Sequence, residues 1–168
     1  GILHCARLLR GVAQELDALG YAGSCEHRVP KQLQLGWYPG DGASSYARHL
    51  DSCINPWHEL GLLGRLRLRD YRARAVTAIL YLNGPRWGAD EGTEEGVDEG
   101  TEDVGGALRL YRPDDAQPAE GVGGGAWTGD HVDVTPHGGT LVVFDSRRIE
   151  HQVMPTRRDR FALTCWIE

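Results

Sequence analysis

His49 and Asp51 stand two residues apart in a stretch, residues 46–51, that reads as a short strand. Successive side chains alternate across a strand, so both project from one face. Groups fixed in that way can take two adjacent positions on a metal ion, and His151, far along the chain on another strand, can supply a third. Two imidazoles and a carboxylate on one face of iron(II) form the triad used by non-haem oxygenases, with three positions left for a chelating cosubstrate and dioxygen. The spacing alone is weak evidence, because His131-x-Asp133 repeats it. That second pair is expected on the strand just before His151 and has no ligand-like surroundings. His4, His27, His58 and His137 read as surface residues.

Arg160 sharpens the pattern. A dicarboxylate that chelates iron at one end leaves a second carboxylate at the other, and burying that charge is costly unless it is paired. Arginine stays protonated and offers a planar fork that grips a carboxylate with two hydrogen bonds. Arg160 opens the last strand and alternates with Ala162 and Thr164, opposite Phe161 and Leu163. It is therefore expected inside, on the same interior as His151. The alternative is a surface arginine in the run Arg157-Arg158-Asp159-Arg160.

These groups need a scaffold, and the chain supplies short strands. Residues 2–19 carry Leu3, Ala6, Leu9, Val12, Ala13, Leu16 and Leu19 at helical spacing, with Gly20 as the stop, so a helix is expected to cover one face of a sheet. Residues 32–38 alternate, with Leu33, Leu35 and Trp37 on one side and Gln32, Gln34 and Tyr38 on the other, as in a half-buried strand before the Pro39-Gly40-Asp41-Gly42 turn. Residues 75–82 read as a buried strand, and 107–111 and 131–134 as short ones. Residues 140–168 read as two apolar strands around a short exposed one that carries His151. Seven or eight short strands after one helix predict a sandwich or jelly roll.

Two segments stand apart. Residues 52–71 form a long connection that runs into a basic stretch with Arg65, Arg67, Arg69, Arg72 and Arg74, whose alternation suggests a hairpin arm. Residues 90–103 hold eight acidic and no basic residues, so the net charge of −6 belongs to one insert and the remainder is near neutral. The region 88–106 is acidic and glycine-rich and is expected to be flexible. A near-neutral body does not suggest nucleic acid binding. No apolar run is long enough to span a membrane. Cys5, Cys25, Cys53 and Cys165 lack metal-type spacing and read as free thiols of a reducing compartment. The 168 residues fit one catalytic domain, 1–168; with no initiator Met and no leader-like segment at Gly1, the chain reads as an N-terminally truncated or processed piece.

Beyond these patterns, the chain resembles the 2-oxoglutarate- and iron(II)-dependent prolyl 4-hydroxylases, most closely the hypoxia-inducible-factor type. The matching pieces are Tyr38-Pro-Gly-Asp-Gly, Tyr46-Ala-Arg-His49-Leu-Asp51, Arg74-Ala-Val-Thr77-Ala-Ile79-Leu-Tyr81-Leu-Asn83, Gly105-Gly-Ala-Leu108-Arg, and the stretch from Phe144 to Trp166. The resemblance covers residues 33–168. Collagen-type and plant-wall prolyl hydroxylases are less similar, since they carry lysine where Arg160 stands. Glu150 departs from the family, which has proline there; the 52–74 arm, a region that closes over the substrate in the family, is longer than in the animal enzymes and shares no obvious sequence with them, and the acidic insert at 90–103 has no counterpart.

The resemblance implies a mainly β fold, a double-stranded β-helix (jelly roll) with a supporting N-terminal helix. It implies iron(II) held by His49, Asp51 and His151. Arg160 and Tyr81 are implied to bind the far carboxylate of 2-oxoglutarate, in a pocket lined by Tyr38, Thr77, Ile79, Leu108, Val153 and Thr164. Tyr46, Arg74, Arg148 and Trp166 are implied to border the target proline. The implied reaction hydroxylates C4 of a prolyl residue in a cytoplasmic or nuclear protein, coupled to decarboxylation of 2-oxoglutarate to succinate and carbon dioxide, with dioxygen consumed and ascorbate as a reductant. Oxygen sensing belongs to this branch. The expected partner is a protein or peptide with a target proline, and the enzyme is expected to be a monomer without nucleic acid or membrane partners. Two other readings stay open: an oxygenase acting on another protein residue, and a jelly-roll binding module without catalysis.

Overall fold

The computed structural model describes residues 1–21, 28, 33–52, 74–88, 104–113 and 129–168. The basic arm, most of the acidic insert, His27, His58, Cys25 and Cys53 lie outside the described residues. Helix α1 (Ile2–Ala18) precedes eight strands among the described residues: β1 (Gln34–Tyr38), β2 (Tyr46–His49), β3 (Val76–Tyr81), β4 (Leu108–Tyr111), β5 (His131–Val134), β6 (Leu141–Asp145), β7 (His151–Val153) and β8 (Arg160–Ile167). They form two four-stranded sheets, β1-β8-β3-β6 and β2-β7-β4-β5, with every pairing antiparallel. This is the mainly β jelly-roll architecture that the strand pattern predicts.

The helix ends as its sequence dictates. Gly20 takes φ of 65°, its N–H bonds Asp17 O, and the Tyr21 N–H reaches back to Leu16 O. This is a glycine-terminated Schellman cap. The buried stripe is Leu9 and Ala13, flanked by Cys5, Val12 and Leu16, and it packs on Val76, Ala78, Leu80, Leu163, Cys165 and Ile167. Leu3 and Leu19, expected on that stripe, are 75% and 80% exposed because they lie to either side of it. A second core fills the space between the sheets, from Ile79, Tyr81, Leu108, Leu110, Phe144, Val153 and Ala162. Strand β3 is buried along its whole length because one face meets the helix and the other meets the second core.

Three sequence expectations change. On β1 the apolar side, Leu35 and Trp37, faces outward, while Gln34, Gly36 and Tyr38 line an interior cavity. β1 is the edge of its sheet, and Trp37 finds cover only by stacking on Phe161, opposite it in register. Strand β7, expected to be exposed, buries His151 and Val153, because β2 and β4 flank it on both sides. Strand β6 keeps Leu141 and Val143 largely exposed, since it too is an edge and the helix does not reach them.

Candidate metal and cosubstrate site

The last residue of β2 pairs directly with the first of β7, so His49 and His151 lie side by side, ring centroids 4.3 Å apart. Asp51 follows one turn of backbone after β2 and points its carboxylate between them. His49 Nε2 is 3.4 Å from Asp51 Oδ1, and His151 Nε2 is 3.6 Å from Oδ2. The three residues offer ligand atoms that all lie within 4.8 Å of one another. The hydrogen bonds behind the rings fix their orientation. His49 Nδ1 lies 2.8 Å from Ala47 O and His151 Nδ1 lies 3.3 Å from Ile149 O. A carbonyl only accepts, so each Nδ1 carries a proton and each Nε2 is the nitrogen that faces the shared space.

The electrostatics suit a divalent cation. Burial pushes the Asp51 carboxyl upward, but the hydrogen bonds from His49 and Thr77 and the charge of His151 outweigh it and hold the pKa at about 2. The carboxylate is therefore ionised. Burial pushes His151 downward, against the pull of Asp51, which favours the neutral imidazole that binds metals. Burial also lowers His49, but its bonds to Asp51 and Ala47 O prevail and raise it.

Beside this triad a cavity of about 350 Å³ opens between the sheets. It is lined by the triad and by Tyr38, Ile79, Leu108, Val153, Arg160 and Thr164, all anticipated from the sequence, together with Tyr46, Arg74 and Trp166. Arg160 is the largest of the fully buried side chains. Its Nε donates to Gly106 O at 2.9 Å, and its guanidinium lies 4.9 Å from the Tyr81 ring centre and 5.1 Å from that of Tyr38. The Gly106 carbonyl reaches it because residues 105–106 run against 155–156 with positive φ; a Cβ on Gly105 would sit 2.2 Å from Pro155 O. Among the described residues no carboxylate pairs with Arg160, and the buried Tyr81 hydroxyl has no hydrogen-bond partner. A buried cation and an unsatisfied donor side by side call for an anion.

Some expected members sit elsewhere. Thr77 is fully buried and does not line the cavity; its hydroxyl bonds Asp51 Oδ2 and Ser146 Oγ. Arg148 is exposed in the turn after β6, away from the cavity lining. Gln34, Gly36 and Leu50 also line the cavity, beside Ala162, which shares the interior face of Arg160; for Gln34 and Gly36 the two-residue period shared with Tyr38 is the signal in the sequence. The alternative pair is excluded as a metal site: His131 and Asp133 face solvent on β5, and both Asp133 oxygens bind Arg109 at 2.7 Å.

Fold, triad and buried arginine together define an iron- and 2-oxoglutarate-type oxygenase domain. The family model for the 2OG-Fe(II) oxygenase superfamily matches residues 33–168, and the chain belongs to that superfamily, whose members need iron(II), 2-oxoglutarate and dioxygen. The chain is 33% identical over 136 residues to a hypoxia-inducible factor prolyl hydroxylase of Caenorhabditis elegans, a match that spans 80% of this chain and 13% of that protein. It is similar in structure to a prolyl-4-hydroxylase of Pseudomonas putida, with a TM-score of 0.55, 25% identity, 94% of this chain and 60% of that one. It is also similar to a Trichoplax adhaerens prolyl hydroxylase solved with a hypoxia-inducible factor peptide, with a TM-score of 0.56, 24% identity, 96% of this chain and 55% of that one. Among the described residues no helix is long and apolar enough to cross a membrane.

Proposed function

We propose that this domain hydroxylates C4 of a prolyl residue in an intracellular protein, with iron(II) at His49, Asp51 and His151 and 2-oxoglutarate in the adjoining cavity. The observation that carries the cosubstrate reading is the buried Arg160 guanidinium, which among the described residues lacks a carboxylate partner and lies beside the unsatisfied Tyr81 hydroxyl. When bound, iron and 2-oxoglutarate supply the oxidising chemistry from dioxygen, with succinate and carbon dioxide as co-products. The chain's own groups do the rest. His49 and His151 offer their Nε2 atoms, Asp51 an ionised oxygen, Arg160 and Tyr81 three or more N–H and O–H donors for the far carboxylate. Ile79, Leu108 and Val153 form an apolar wall that excludes water between those two ends.

The prolyl reading rests on the curated relative and on the cavity's rim. The Arg74 guanidinium stacks 3.9 Å above the Trp166 ring and bonds Asp51 O, and half-exposed Tyr46 stands edge-on to His49. These flat surfaces beside the metal triad suit a five-membered ring presented by an extended peptide. An intracellular setting is consistent with Cys5 and Cys165, both free thiols. The test is incubation of the purified chain with iron(II), 2-oxoglutarate and a panel of proline-containing peptides. Succinate release and the added mass of one oxygen atom on proline are expected. Turnover with the oxygen on another residue type would overturn the prolyl assignment while keeping the oxygenase.

A further inference from the structure

We propose that a buried hydroxyl relay, Ser146 to Thr77 to Asp51, makes Thr77 and Ser146 positioning residues that dictate which oxygen of Asp51 meets the metal. The inference rests on the reading of His49, Asp51 and His151 as the iron site and gives Thr77 a role different from a place in the cosubstrate pocket.

Asp51 lies beyond the last paired residue of β2, so strand pairing does not fix it. Other contacts do. The next residue's N–H, on Ser52, donates to Ser146 O at 3.1 Å, and the Ser146 N–H donates to Ala75 O at 3.0 Å. The side chain is set by the relay: Thr77 Oγ1 is 2.6 Å from Asp51 Oδ2, and Ser146 Oγ is 2.7 Å from Thr77 Oγ1. Thr77 and Ser146 are completely shielded from solvent.

Proton counting gives the relay a direction. An ionised carboxylate only accepts, and a hydroxyl has one proton to give. Thr77 spends its proton on Asp51, so Ser146 must be the donor to Thr77. Asp51 Oδ2 is thereby engaged from the side of β3, and Oδ1, near His49 Nε2, is the oxygen left for the metal. A carboxylate held in this way binds through one oxygen. The coordination position that a second oxygen would occupy stays open, as a three-ligand site requires. Partners behind metal ligands of this kind typically govern metal affinity by about 10–100-fold.

The experiment compares the purified chain with Thr77→Val, Thr77→Ser and Ser146→Ala. Valine keeps the shape of threonine and removes the hydroxyl; serine keeps the hydroxyl. Calorimetric titration with Mn(II) alone is expected to show Thr77→Val about 10–100-fold weaker, Ser146→Ala weaker by a smaller factor, and Thr77→Ser close to the parent. Co(II) absorption spectra should change in Thr77→Val and be restored in Thr77→Ser. The affinity for 2-oxoglutarate at saturating Mn(II) should stay within a few-fold. Unchanged Mn(II) affinity in Thr77→Val overturns the relay, as does a loss confined to 2-oxoglutarate, which would return Thr77 to the cosubstrate pocket. If Thr77→Val does not fold, Ser146→Ala decides, and parental Mn(II) affinity there overturns the proposal. Failure of the parent chain itself to bind Mn(II), or full binding in His151→Ala, would instead overturn the iron-site reading.

Discussion

Arg48 and Glu150 pair across β2 and β7, each one residue ahead of a histidine of the triad. Arg48 Nε is 2.7 Å from a Glu150 oxygen, and the guanidinium lies 3.7 Å over the Tyr111 ring on β4. On the outer face this ion pair spans the same two strands that hold His49 and His151 on the inner one. Both side chains are about half exposed, so solvent and salt screen the pair and it contributes no more than about 1 kcal/mol. Glu150→Gln is expected to lower stability by less than that in urea titrations, with the difference shrinking at high salt. A loss of several kcal/mol would mean that the pair, rather than the buried core, holds β2 in place.

Arg160 is the reverse case. Its charge is buried without a carboxylate among the described residues, which costs stability until an anion arrives. Arg160→Met keeps much of the volume and removes the charge. The ligand-free variant should melt at the same temperature as the parent or higher. Its affinity for 2-oxoglutarate should fall by about a hundredfold or more, since breaking one side of a buried ion pair costs about 3–5 kcal/mol. Calorimetric melting with and without 2-oxoglutarate reads both. A variant that melts lower and still binds the cosubstrate would make Arg160 a packing residue.

The two histidine pairs offer a direct contrast. His151→Ala should abolish succinate formation and metal binding, because one of three converging donors is lost. His131→Ala, on the exposed face of β5, should leave both unchanged. Equal effects of the two substitutions would contradict the assignment of the metal site.

The contrast also shows what could be read from the sequence. Strand alternation was enough to put Arg160 inside, because a two-residue period is local geometry; the strand expected over 46–51 ends at His49, and Asp51 reaches the same site through the contacts of Ser52 and Thr77 instead. Alternation does not say which face of an edge strand meets the cavity, so it predicts Leu35 and Trp37 inside and does not mark Gln34 and Gly36. Nor could it show β7 to be buried, since that depends on the β2 and β4 neighbours brought from elsewhere in the chain. The resemblance put Thr77 in the cosubstrate pocket, but its hydroxyl turns to Asp51, a choice set by Ser146 on another strand connection.

Asp51 predicts how the metal-free protein responds to acid. Its carboxyl is held at about 2, below the usual 3.8, by partners that outweigh the cost of burial. A depressed folded-state pKa adds stability that is complete above about pH 4 and is lost as pH falls toward about 2. Nearly two units correspond to roughly 2 kcal/mol, read as an order of magnitude. Urea titrations of the metal-free chain between pH 5 and pH 2.5 should therefore show the parent losing more stability than Asp51→Asn, which has no proton to take up. At neutral pH the same comparison should favour the parent. Parallel acid profiles for the two proteins would mean that the Thr77, His49 and His151 contacts do not stabilise the ionised carboxylate before a metal binds.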